Sequence, residues 1–136
     1  MMLLPFRRYF DFSGRSRRRE FWLFTLFWYL VTIGCGVLML AGIPWDKFGS
    51  NAQPGFMLWV GMSIMMLFWL VSWIPGIAVT VRRFHDQGLS GWMYLLYFIP
   101  YLGWLIVMVF MCIEGNRGEN RFGYDPKGLG TAEIFA

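Results

Sequence analysis

The chain has 136 residues, of which 57 % are hydrophobic, 21 % are aromatic and only 15 % are charged. Soluble domains usually carry about a quarter charged residues, so this composition excludes an ordinary water-soluble domain. The formal net charge is +4, and residues 1–20 account for all of it with six arginines against two acidic residues.

Residues 1–20 mix arginine with aromatic side chains, a pattern typical of a segment at a membrane surface. Aromatic rings suit the headgroup layer, and guanidinium groups suit lipid phosphates. A basic arm can also bind nucleic acid, but beside a membrane span topology and anionic lipid are the commoner reasons for it. Membrane lipids are therefore the predicted partners, and nucleic acid is not.

Three long runs without Asp, Glu, Lys or Arg follow, at residues 21–43, 56–81 and 92–113. A hydrocarbon core about 30 Å thick needs roughly 20 apolar residues in a helix, and each run reaches that length. A globule of this size cannot bury three such helices. The sequence therefore predicts a single all-α integral membrane domain over residues 1–136, with the interfacial segment 1–20, three transmembrane helices and a polar tail, 114–136.

The third run contains two interruptions, Pro100 and Gly103. A kinked crossing and a re-entrant hairpin are both compatible with them. About 22 residues are enough for one crossing but short for two, so a single crossing is predicted. A single crossing places the tail on the side opposite the second loop, whereas a hairpin returns it to the same side.

Lysine and arginine are distributed unevenly among the segments between the runs. The N-terminal segment has six and the second loop has two, against one in the first loop. Because positive charge is retained in the cytoplasm, a multi-pass protein with a cytoplasmic N-terminus is predicted.

Ser72, Gly76 and Thr80 recur every four residues and share one helical face of the second run. Small residues let helix backbones approach closely in lipid, so this face is predicted to pack against another helix. Cys35 and Cys112 lie inside apolar runs and are interpreted as small packing residues.

The second loop, residues 82–91, is the densest polar stretch. Ser90 is placed to cap the third span, and Arg82 and Arg83 beside that helix start suit an anion such as a lipid phosphate. Alternatively, both arginines only anchor the span, and Asp86 pairs with one of them or with an N-terminal arginine. The predicted anion or lipid-headgroup residues are Arg15, Arg18, Arg82, Arg83 and Ser90.

The tail carries a turn-forming motif at residues 115–126. If it meets the second loop, a polar cluster forms from His85, Asp86, Asn120, Arg121 and Asp125. With one histidine and no clustered cysteines, neither a metal site nor a cofactor is predicted. The runs also lack the ionisable groups that ion-coupled transporters usually keep at mid-depth.

Four motifs resemble the domain of unknown function 805 family of small bacterial inner-membrane proteins. They are FSGRSRRREFW at 12–22, RRFHDQGLSGW at 82–92, IPYLGW at 99–104 and GENRFGYDP at 118–126. Gln87 and Met93 depart from the residues usual in that family. The resemblance implies an inner-membrane location and a multi-span helical fold, but no activity.

Three classes of function remain open. The predicted one is a non-enzymatic membrane protein that self-associates, as in a channel- or transport-type assembly, and carries a basic cytoplasmic belt. The alternative is an accessory or regulatory subunit that binds anionic lipid within a complex of other membrane proteins. The third is an enzyme acting on a lipid phosphate, with His85 as its general base.

Overall fold

The computed structural model describes residues 2–45 and 53–127. Residues 46–52 of the predicted first loop and residues 128–136 of the predicted tail lie outside the described residues. Within the described ranges the chain is helical and has no β-strand, which confirms the all-α prediction. The elements are α1 (Leu4–Arg7), α2 (Arg18–Ala41), α3 (Phe56–Asp86), a 3-10 helix (Gly91–Phe98) and α4 (Gly103–Cys112).

The chain forms two compact units. The terminal unit comprises residues 1–24 and 74–136, and the middle unit comprises residues 25–73. Because the polar motifs at 12–20, 82–91 and 115–126 all belong to the terminal unit, a candidate site built from them lies within that unit.

Helices α2 and α3 are long and apolar enough to cross a membrane. They contain 24 and 31 residues, which at 1.5 Å per residue gives about 36 and 46 Å, more than a hydrocarbon core of about 30 Å. Only 11 % and 28 % of their most apolar stretches are buried by the protein. The core helix of a soluble protein would be mostly buried, so the structure supports the first two predicted spans.

In the middle unit, α2 and α3 approach closely at small residues. A Cβ atom on Gly61 would lie 3.0 Å from the backbone nitrogen of Met39 and 3.1 Å from the carbonyl oxygen of Cys35. Cys35 is buried at this contact. The ring of Trp28 on α2 also contacts the ring of Trp69 on α3, with centroids 5.5 Å apart. Close backbone packing of this kind is how helices associate in lipid.

One residue of the predicted helix-packing face, Gly76, contacts the neighbouring helix. In the terminal unit, a Cβ atom on Gly76 would lie 3.7 Å from the ring of Phe24, and the buried Thr80 hydroxyl donates to the Gly76 carbonyl at 2.8 Å. In the middle unit, Ser72 is buried and donates to the Trp69 carbonyl at 3.4 Å.

The third apolar run does not form one continuous transmembrane helix, so the third predicted span is not confirmed. It consists of the 3-10 helix and α4, with 8 and 10 residues. Rises of 2.0 and 1.5 Å per residue make them about 16 and 15 Å long, each about half the hydrocarbon thickness. The two helices pack against each other. The run is therefore a helical hairpin, the alternative that Pro100 and Gly103 left open.

The turn of this hairpin depends on Gly103. Tyr101 adopts a positive φ of 65°, and the Gly103 amide donates to the Ile99 carbonyl at 2.9 Å. A Cβ atom on Gly103 would collide with the carbonyl oxygen of Leu96 in the 3-10 helix. Glycine is needed here because the two arms of the hairpin meet backbone to backbone.

We expect Gly103→Ala to destabilise the protein by about 1 to 3 kcal/mol, the usual cost of overpacking. The measurement is thermal unfolding of the purified chain in detergent. Gly34→Ala is the matched control, because a Cβ atom there meets nothing within 4 Å. Equal midpoints for the two variants would contradict the close backbone contact at Gly103.

Candidate functional site

The three polar segments predicted from the sequence meet in the terminal unit. The start of α2 lies beside the end of α3, since the Ser16 amide donates to the Arg82 carbonyl at 3.2 Å. The tail joins them, since the Asn116 amide donates to the Asp86 carbonyl at 2.8 Å. Charged side chains buried there are Arg15, Arg82, Arg83 and Asp86.

Asp86 lies between two buried arginines. Its Oδ1 atom accepts from Nε of Arg15 at 2.9 Å, and its Oδ2 atom accepts from Nη1 of Arg83. Side-chain exposure is 9 % for Asp86, 2 % for Arg15 and 0 % for Arg83. We call these three residues the Asp86 cluster. Charges removed from water this thoroughly are stable only when they are paired and hydrogen-bonded, as they are here.

Arg15 also holds the tail. Its Nη1 atom donates to the carbonyls of Gly118 at 2.5 Å and Gly123 at 3.3 Å, and its Nη2 atom donates to the Asn116 carbonyl. A guanidinium group has five N–H donors in a fixed plane, so one arginine can order several turns of backbone. Arg15 therefore fixes the shape of the tail around Asp86.

The end of α4 is bound to the same region by side-chain donors. Gln87 donates to the Phe110 carbonyl, Arg18 donates to the Cys112 carbonyl at 3.1 Å, and Arg83 donates to the Ile113 carbonyl. Carbonyls in the last turn of a helix lack partners within the helix and form the negative end of its dipole. Cationic and amide donors at the end of α4 supply hydrogen bonds to these carbonyls, and the cations also neutralise the negative end of the dipole.

Both ends of the hairpin therefore adjoin the end of α3. Ser90 caps the 3-10 helix by accepting from the Trp92 amide at 3.4 Å, and a Cβ atom on Gly91 would lie 3.3 Å from Nε2 of His85. The other end is held by Arg83 at Ile113. The tail thus lies beside the second loop.

His85 connects the N-terminal segment to the tail. Its Nδ1 atom lies 3.3 Å from the Gly14 carbonyl and must carry the proton, because a carbonyl can only accept. The imidazole stacks on Phe122 with a centroid distance of 3.9 Å and an angle of 7°. Its own carbonyl accepts from Asn120 Nδ2 at 2.9 Å. Arg121 lies over the Phe122 ring at 4.7 Å.

Two carboxylates at the rim of the tail stay ionised at neutral pH. The Lys127 amide at 2.8 Å and the Gly118 amide at 3.1 Å hold the pKa of Asp125 below its ordinary value. The Lys127 ammonium group at 2.6 Å, with a smaller effect of Arg18, lowers the pKa of Glu114. Asp125 thus orders the tail turn and does not contact Asp86.

Arg82 is fully buried and ties residues 15–20 to α3. Its Nε atom donates to the Ala78 carbonyl at 3.3 Å, and its Nη2 atom lies 3.3 Å from Oε1 of Glu20. Arg82 and Glu20 therefore form an ion pair without a hydrogen bond between these two atoms. The other Glu20 oxygen accepts from the Ser16 hydroxyl at 2.7 Å. The Ser16 hydroxyl therefore orients Glu20.

The structure brings the predicted polar cluster together and internalises three of the five predicted anion ligands. Arg15, Arg82 and Arg83 are buried, whereas Arg18 is part-exposed and Ser90 is exposed. Their binding of an anion stays a prediction. The sequence analysis gave Gln87 no site role, because its side chain carries no charge. Only the position of α4 shows that it binds the Phe110 carbonyl. Across the described residues no group of three His, Cys, Asp or Glu side chains is arranged for a metal ion.

The family model described as a protein of unknown function (DUF805) matches residues 9–124. The chain belongs to the DUF805 family. The match includes every segment that meets at the Asp86 cluster up to Tyr124, which agrees with the resemblance found in the motifs. The cluster is thus built from the part of the chain that defines a DUF805 protein.

Curated relatives cover nearly the same length. The chain is 37 % identical to inner membrane protein YhaI of Escherichia coli K12 over 124 residues, 89 % of this chain and 90 % of YhaI. It is 38 % identical to inner membrane protein YhaH of the same strain over 121 residues, 89 % of this chain and 91 % of YhaH. The uncharacterized protein YiiR is 29 % identical over 147 residues, 87 % of each chain. No solved structure matches this chain.

We expect Asp86→Asn to destabilise the protein by about 3 to 5 kcal/mol, because it leaves two buried arginines without their counter-ion. Thermal unfolding in detergent measures the change. Asp11→Asn is the control, since it breaks a surface pair with Arg8, both about one-third exposed, worth about 0 to 1 kcal/mol. A loss no larger for Asp86→Asn than for Asp11→Asn would contradict the role given to the cluster.

Proposed function

We propose that this DUF805 chain is a non-enzymatic inner-membrane protein whose cytoplasmic face binds anionic lipid headgroups. The observation that carries the proposal is the division of its arginines. The side chains of Arg15, Arg82 and Arg83 are buried inside the protein. Arg7 and Arg19 are exposed, and their side chains make no hydrogen bond or ion pair with any described residue. Cations left free at a membrane surface favour anionic lipid.

Exposed aromatic rings in the same unit support a position in the headgroup layer. Phe10 is 74 % exposed and Trp92, at the start of the 3-10 helix, is 78 % exposed. Aromatic side chains of this kind are enriched where a protein crosses from hydrocarbon to water. Exposed rings and exposed arginines are both side-chain types suited to a lipid interface.

An enzyme acting on a lipid phosphate fits the geometry less well. The His85 ring is covered by Phe122 and directs one nitrogen at the Gly14 carbonyl. Arg82 and Arg83 are fully buried, so neither is placed to clamp a substrate phosphate at the surface. We therefore keep the proposal non-enzymatic.

The topology that we propose has two crossings, α2 and α3, and a re-entrant hairpin over residues 91–112. Its two half-length helices enter and leave from the cytoplasmic side. The support is the polar convergence at the end of α3 together with the positive-inside count. Re-entrant backbone is tolerated in a membrane when protein contacts satisfy it, as α4 is satisfied at its C-terminal end.

Reporter fusions test this topology. We expect green fluorescent protein to fluoresce, and alkaline phosphatase to stay inactive, at both ends of the full-length chain. The reverse pattern is expected for reporters inserted between α2 and α3. Phosphatase activity at the C-terminus would contradict the re-entrant hairpin.

Native mass spectrometry tests the lipid proposal. The chain is reconstituted with phosphatidylglycerol and phosphatidylcholine, released in mild detergent and weighed with its bound lipid. We expect Arg7→Ala plus Arg19→Ala to retain several-fold less phosphatidylglycerol, since each basic residue near the surface contributes about 1 kcal/mol. The matched variant Arg7→Lys plus Arg19→Lys keeps the charge and should retain it. Unchanged retention in the alanine variant would overturn the proposal.

Self-association is a second candidate, favoured by an open groove in the middle unit. The groove has a volume of about 670 Å³ and almost entirely apolar walls. Its lining residues include Trp28, Met62, Met66, Trp69 and Trp73. The same mass spectra count the chains in each particle. More than one copy supports self-association, whereas a strictly monomeric particle excludes it and any pore between copies.

A further inference from the structure

A polar cavity opens beside the Asp86 cluster in the terminal unit. Its volume is about 360 Å³, within the usual range for small-ligand sites. Its walls come from the start of α2, the end of α3 and the tail. The charged side chains that line it are Arg17, Asp86, Glu114, Arg117, Asp125 and Lys127.

The carboxylates of this cavity are already engaged. Asp86 is held by Arg15 and Arg83. Glu114 accepts from Lys127 at 2.6 Å and pairs with Arg18 at 3.4 Å. Asp125 accepts two backbone amides, on Oδ2 from Gly118 at 3.1 Å and on Oδ1 from Lys127 at 2.8 Å. The cavity therefore has little acceptor capacity left for a cationic ligand.

Hydrogen-bond donors, by contrast, remain. Arg117 is exposed at the cavity and makes no hydrogen bond or ion pair with any described residue. The Arg17 side chain donates one N–H group to the Pro126 carbonyl, which is its only side-chain hydrogen bond within the described ranges. Counting the partners of the carboxylates, six cationic side chains surround three carboxylates: Arg15, Arg17, Arg18, Arg83, Arg117 and Lys127.

We infer that this cavity binds a phosphate group, presented by a lipid headgroup or by a soluble phosphate ester. Two guanidinium groups with free N–H donors match the oxygens of a phosphate, which can accept several charge-assisted bonds at once. The inference deepens the proposed function, because it assigns a defined pocket to an anionic headgroup. It uses Arg17 and Arg117, whereas the general surface attraction was assigned to Arg7 and Arg19.

The test uses the full-length chain in phosphatidylcholine nanodiscs and two probes, glycerol 3-phosphate and short-chain phosphatidylglycerol. Isothermal titration calorimetry measures their dissociation constants. We expect Arg117→Ala to weaken binding about tenfold, the effect of losing one charge-assisted hydrogen bond. The Arg117 side chain makes no hydrogen bond or ion pair with a described residue, and its charge is the smallest of the effects on the pKa of Glu114, so its removal breaks no hydrogen bond of the fold. Arg8→Ala removes the same charge elsewhere, from a part-exposed pair with Asp11, and should leave glycerol 3-phosphate binding unchanged.

Each outcome decides the inference. Weakened binding of both probes by Arg117→Ala supports a site for the phosphate group itself. Weakening confined to phosphatidylglycerol supports a lipid headgroup as its source, and weakening confined to glycerol 3-phosphate supports a soluble ester. Equal affinities in the wild type and Arg117→Ala, or no binding of either probe, would overturn the pocket. Retention of phosphatidylglycerol through Arg7 and Arg19 is measured separately, so the proposed function can survive that result.

Discussion

Asp86 is the counter-ion on which the terminal unit depends. Two arginines from different segments, Arg15 before α2 and Arg83 near the end of α3, meet on its two carboxylate oxygens. In a buried, weakly polarisable environment neither cation is tolerable without it. One short side chain therefore holds the N-terminal segment to the second loop.

The arginines of the cluster have more donors than the carboxylate has acceptors, and backbone carbonyls accept several of the others, although Nε of Arg83 has no hydrogen-bond partner. Arg15 donates to the carbonyls of Asn116 and Gly118 in the tail, and Arg83 donates to the Ile113 carbonyl at the end of α4. These hydrogen bonds hold the hairpin and the tail against the end of α3, because a buried donor without an acceptor costs free energy. The same interactions neutralise the negative end of the α4 dipole.

This arrangement divides the basic residues between structure and surface. Arg15 and Arg83 are buried and paired with the Asp86 carboxylate, so their charge is unavailable to outside partners. Arg7, Arg19 and Arg117 have no such partners among the described residues. The chain has a net charge of +4, and exposed cations of this kind attract anionic groups.

The sequence by itself determined the solvent of this protein, because hydrophobic length is a local property: the runs at 21–43 and 56–81 could be recognised without any tertiary information. It also identified the residues of the polar cluster and, through Pro100 and Gly103, two permitted shapes for the third run. Choosing between those shapes required the tertiary structure. The hydrogen bonds that favour the hairpin run from Arg83 to the Ile113 carbonyl and from Arg18 to the Cys112 carbonyl. They join residues 30 and 94 positions apart, and no local sequence pattern encodes such pairings.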